Sequence, residues 1–121
     1  MADKKKYTLP ELPYAGNALE PHITQAQLVL HHDKHHAAYV NGANAILERL
    51  DKARESGSDI DMKATLKELS FQAGGHVLHS LFWANLAPAS KAKKEPEGAL
   101  AEALKKEFGS LLFKNGVSTC S

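Results

Sequence analysis

Apolar side chains recur at helical spacing along most of this chain, and the spacing breaks at residues that stop helices. No such period exists before residue 24, where Pro10, Pro13 and Pro21 interrupt the chain. Proline lacks an N–H and pushes the residue before it out of the helical region, so residues 1–23 are predicted to form an extended arm. A helix start follows. Thr24 suits the N-cap, Gln27 stands where a capping box closes, and Ile23 can staple onto Leu28. Leu28, His31, His35, Tyr39, Ile46 and Leu50 then repeat at helical spacing up to Gly57. That is about 30 residues, on the order of 45 Å. Gly42, about 1 kcal/mol poorer in a helix than Ala, marks a place for a bend or break near Asn41.

The polar linker from Glu55 to Asp59 is short enough to predict an antiparallel hairpin. Its second helix is expected from Asp61 to Leu86, with Met62, Leu66, Leu69, Ala73, His76, Leu78 and Phe82 on its periodic positions and Pro88 beyond it. Gly74 and Gly75 break the local rule. Either the two helices pack closely where no side chain intervenes, or the space receives a ligand or a residue from elsewhere. Pro96 is read as the first residue of a third helix that runs to Phe108 and closes at Gly109. The predicted fold is all-α: an extended arm over 1–23, a long helical hairpin over 24–88, a loop and short third helix over 89–110, and an atypical tail over 111–121.

The composition narrows the function. The chain has 121 residues, and 15 Lys+Arg against 14 Asp+Glu leave a net charge of +1, with no basic stripe for a phosphate backbone. No apolar run approaches the roughly 20 residues of a membrane span, and the basic start Met1–Lys6 is not followed by the apolar core of a signal peptide. These readings predict a cytoplasmic domain with neither nucleic acid nor membrane as partner. The single cysteine, Cys120, has no partner for an intrachain disulfide and reads as an exposed tail thiol.

The chemistry lies in the seven histidines. His31-His32-Asp33-Lys34-His35-His36 contains two interleaved i, i+4 pairs. On a regular helix, His31, His35 and Tyr39 share the inward stripe of Leu28 and Ile46, which leaves His32 and His36 toward the flank or solvent. In an antiparallel hairpin His79 lies at the depth of His31, with Phe82 and Trp83 one turn beyond it. Neutral imidazoles on facing helices are a standard way to hold a transition metal, so metal binding is preferred to a purely structural role. His22 is assigned a structural role. Spacing excludes a zincin, a di-iron Glu-x-x-His bundle, a zinc finger, a phosphate-binding glycine loop and a serine elbow.

Two segments carry a resemblance. His31-His32-Asp33-Lys34-His35-His36-Ala37-Ala38-Tyr39-Val40-Asn41 and Gly74-Gly75-His76-Val77-Leu78-His79-Ser80-Leu81-Phe82-Trp83-Ala84-Asn85-Leu86-Ala87-Pro88 resemble the two helical motifs of the iron/manganese superoxide dismutase family. The arm Leu9-Pro10-Glu11-Leu12-Pro13-Tyr14 resembles that family's start, and the match extends over about residues 7–110. It implies a superoxide dismutase that uses one Mn or Fe ion, with His31 and His79 as metal ligands. Tyr39 and His35 would form the gateway toward metal-bound solvent, and Trp83, Phe82 and Gly75 the wall. Glycine at position 75, where some members carry a glutamine, leans toward Mn.

The resemblance also implies ligands that this chain does not carry: the family's C-terminal α/β domain supplies an Asp and a third His, and nothing similar follows Ser110. The expectation is therefore a truncated chain with half of a metal site, binding metal loosely and poorly active as a monomer. Homodimers or homotetramers are expected by resemblance, and an exposed apolar patch at Leu66, Phe71, Trp83 and Phe113. The alternative is a helical-hairpin remnant that binds metal or a partner without turnover.

Overall fold

The computed structural model describes residues 6–109, and these form helices joined by loops, with no strand among them. A continuous helical run is made of α1 (Gln25–Val29), a π-helical turn (Leu30–His36) and α2 (Ala37–Ser56), followed by α3 (Met62–Ala84) and α4 (Gly98–Phe108). The starts follow from local chemistry. The Thr24 side chain accepts a hydrogen bond from the Gln27 amide at 3.2 Å, and Glu20 Oε1 accepts one from the Gln25 amide at 3.0 Å. Asp61 caps α3 by accepting from the Ala64 amide at 2.9 Å. The first run ends where Gly57 takes a left-handed φ of 67°, a conformation glycine adopts without a Cβ clash.

α2 and α3 pack closely along the hairpin. No break occurs at Gly42. A Cβ there would fall 2.6 Å from the Gln72 side chain, so its lack of a side chain lets α3 approach α2. Gly75 does the same for the ring of Tyr39, which a Cβ at 75 would meet directly, while Gly74 faces open space. Of the two readings of this glycine pair, close packing holds at Gly75. Farther along, Arg49 Nη2 donates to Glu68 Oε2 at 2.6 Å and to the buried Thr65 at 3.4 Å.

The arm lies against the hairpin without strand pairing. Asn44 binds both backbone groups of Tyr7, accepting from its N–H and donating to its carbonyl at 2.8 Å each. A His32 Nε2–H donates to the Pro10 carbonyl at 2.8 Å, and the Tyr14 hydroxyl donates to the Trp83 carbonyl at 3.1 Å. Leu12, Tyr14, Ile23 and Leu86 pack around a buried cluster of Leu19, Leu28 and Trp83.

Trp83 is thus buried, contrary to the expectation that it joins an exposed patch; arm residues cover its indole. Leu66 and Phe71 are exposed, together with Val77, Leu78 and Leu81 of the same helix. No Asp, Glu, Lys or Arg occurs between Phe71 and Ala84, so this part of α3 shows an apolar face to solvent. No helix among the described residues is long and apolar enough to cross a membrane. Phe113, Cys120 and the 111–121 tail lie outside the described residues.

A second compact unit begins at Lys91 and contains α4. Its helix starts at Gly98, not at Pro96. Glu97 is still extended and Gly98 takes a φ of 59°, so the chain turns into the helix two residues later than proline's preference suggests. Gly109 ends it with a φ of 72°.

Candidate metal centre

The histidine-rich segment is placed by the π-helical turn, Leu30–His36. Its i→i+5 bonding puts about one more residue into each turn than an α-helix has, so the side-chain phases of a regular helix do not apply. The predicted stripe is corrected accordingly. His36 is completely buried and His32 nearly so, His31 and Tyr39 are half-buried, and His35 is exposed.

His31 of this turn meets His79 of α3, Nε2 to Nε2 at 3.0 Å. His79 Nδ1–H donates to the Gly75 carbonyl at 2.7 Å, which fixes the tautomer and leaves its Nε2 lone pair facing His31. Burial, with His79 and His35 close by, pushes the His31 pKa below its usual value. A neutral ring is the form that binds a metal. Two imidazole nitrogens about 2.1 Å from one ion and at right angles lie about 3 Å apart, so this pair fits neighbouring positions around a single ion. A nitrogen of His35 joins them, the three candidate donor atoms lying within 4.8 Å of one another.

The other predicted site residues gather around this pair. The Tyr39 ring is 5.1 Å from His35 and 5.2 Å from His79, centroid to centroid. Trp83 stands edge-on to His31 at 5.0 Å, and Phe82 lies 5.6 Å from the same ring. Beside His31 and His35 an open groove of about 640 Å³ is lined by Gln27, Leu30, Lys34 and Ala38.

Sequence reasoning missed two participants, His36 and His76. The Trp83 Nε1–H donates to His36 Nδ1 at 3.0 Å, so His36 carries its proton on Nε2 and donates to His76 Nδ1 at 2.9 Å. Burial first, then His76, His79 and His32 nearby, push the His36 pKa down to about 4. For His36 the signal was the second i, i+4 pair, read as lying toward the flank or solvent because the π-helical turn leaves no mark in the apolar spacing.

The family model for iron/manganese superoxide dismutases, alpha-hairpin domain, matches residues 6–87. The chain belongs to this family. Among curated relatives, it is 61% identical over 108 residues to a protein named superoxide dismutase [Fe] from Methanothermobacter thermautotrophicus, covering 89% of this chain and 53% of that protein. It is 54% identical over 110 residues to one of the same name from Pyrobaculum aerophilum, covering 91% and 52%. A superoxide dismutase [Mn/Fe] from Aeropyrum pernix is 45% identical over 109 residues, covering 90% and 51%. The chain spans about half the length of the curated relatives it matches.

Proposed function

We propose that this chain supplies half of the metal site of a superoxide dismutase, which converts two superoxide ions and two protons to oxygen and hydrogen peroxide. His31 and His79 hold one Mn or Fe ion, and the two relatives named for Fe alone favour Fe over the lean toward Mn drawn from Gly75. The ion supplies one-electron redox chemistry when bound. What carries the reading is the 3.0 Å approach of the two Nε2 atoms with His79 locked on the Gly75 carbonyl. Tyr39, against His35 and His79, stands where a phenol can organise proton delivery. Trp83 covers the inner edge of His31 with Phe82 beside it, and Gly75 gives Tyr39 the room to reach the centre.

The remaining ligands come from a C-terminal domain of the family type, and the uncovered face of α3 is where apolar contact with such a domain is expected. The same reading divides the chain into an arm (1–23), hairpin (24–88), third-helix segment (89–110) and tail (111–121), and places it in the cytoplasm as a homodimer or homotetramer. Fusion to the C-terminal half of the Methanothermobacter relative tests it: the fusion gains dismutation that survives dialysis and disappears in His79→Ala. A metal-loaded fusion without activity, or an active His79→Ala fusion, contradicts it.

A second reading also has its own observation. His35 brings a third nitrogen to the His31/His79 pair, which supports metal binding by the hairpin alone without turnover.

A further inference from the structure

Of the histidines outside the proposed ligand pair, His36 is the most constrained. No part of it reaches solvent, and both ring nitrogens are engaged. The partner at Nδ1 is the indole N–H of Trp83, a group that only donates. At Nε2 it is the bare Nδ1 of His76. The face of the His36 ring stacks on His79, with centroids 5.3 Å apart and planes 30° apart. Trp83, held from one side by His36, presents its indole to His31 at 5.0 Å. One buried ring is therefore in contact with one member of the pair and anchors the wall that packs on the other.

We infer that His36 is a positioning residue: by accepting the Trp83 indole N–H and stacking on His79, it fixes the orientation of both proposed ligands. The inference rests on the metal site proposed above. Without an acceptor at Nδ1, the Trp83 N–H is buried without a partner, and the indole rotates to find one. Rotation opens the packing on His31 and loosens the Nε2 pair. Groups that hydrogen-bond the ligands themselves change metal affinity by about 10- to 100-fold, and His36, which reaches the pair by stacking on His79 and through Trp83, is expected at the lower end of that range.

Two polar substitutions separate this from a general loss of stability. In His36→Asn, Oδ1 falls at the same bond count as Nδ1 and keeps the acceptor for Trp83. In His36→Gln, the amide reaches toward His76 and gives up the Trp83 bond. Mn(II) affinity of the full chain is read from the loss of the free-ion EPR signal, and the indole's order from the tryptophan band in near-ultraviolet circular dichroism. The band reports one residue, because the chain has a single tryptophan. We expect His36→Asn to keep the band and to bind Mn(II) within about threefold of the unaltered chain, and His36→Gln to lose the band and about 10-fold or more in affinity. If His36→Gln keeps both, or His36→Asn loses as much as His36→Gln, the inference is overturned. If the unaltered chain takes up no Mn(II), the proposed metal site fails in this chain, and the dichroism of the two variants alone decides the role of His36.

Discussion

Gly75 and Gly74 are adjacent in sequence and opposite in circumstance. A methyl group at 75 meets the Tyr39 ring, whereas at 74 it meets nothing within 4 Å. Gly75→Ala is expected to destabilise the chain by about 1–3 kcal/mol through overpacking and to displace Tyr39. Gly74→Ala, in a helix interior with open space, is expected to be neutral or to stabilise by up to about 1 kcal/mol. Urea unfolding of the two variants measures the difference, and equal effects contradict the packing. Tyr14 makes a prediction about pH. Burial raises its phenol pKa above the ordinary 10.0, so the folded state holds this proton more firmly than the unfolded state. That contribution is complete below the unfolded pKa and is lost as pH rises through the raised value. Tyr14→Phe is expected to cost about 1 kcal/mol at neutral pH, through the bond to the Trp83 carbonyl, and to decline less steeply than the unaltered chain above pH 10. Parallel alkaline denaturation curves contradict it.

Helices that announce themselves by caps and periodicity were legible in the sequence: Thr24, Asp61, Gly57 and Gly109 all act at helix ends in the structure. The meeting of His31 with His79 followed from hairpin geometry alone. What the sequence hid was the π-helical turn, because i→i+5 bonding is an irregularity within a helix and changes the facing of His32, His35 and His36 without changing the residues that signal one. The late start of α4 was hidden for a similar reason, since glycine's tolerance of positive φ at 98 permits a turn that proline at 96 does not require. The arm's attachment depends on side chains reading backbone, which periodicity does not encode. Asn44→Ala is expected to release Tyr7 at both backbone groups, raising amide exchange at Tyr7 while the amides of α3 keep their protection. Unchanged exchange at Tyr7 contradicts the clamp.

At the scale of the molecule, a small buried cluster and a long exposed apolar helix face belong together. Leu19, Leu28 and Trp83 hold the arm to one end of the hairpin, while Phe71 and Leu78 are each about two-thirds exposed. An uncovered apolar face of this size marks a surface made for contact, and under the proposed function a C-terminal domain of the family type packs there. Under the proposed function the chain presents His31 and His79 as a pair to one ion. Equilibrium dialysis of the chain against Mn(II) or anaerobic Fe(II), with His31→Ala, His79→Ala and His35→Ala beside it, tests that claim directly. Up to one ion per chain is expected, with loss of about 10-fold or more in affinity in His31→Ala and in His79→Ala, and only a few-fold change in His35→Ala. Binding that survives removal of either His31 or His79 would contradict it.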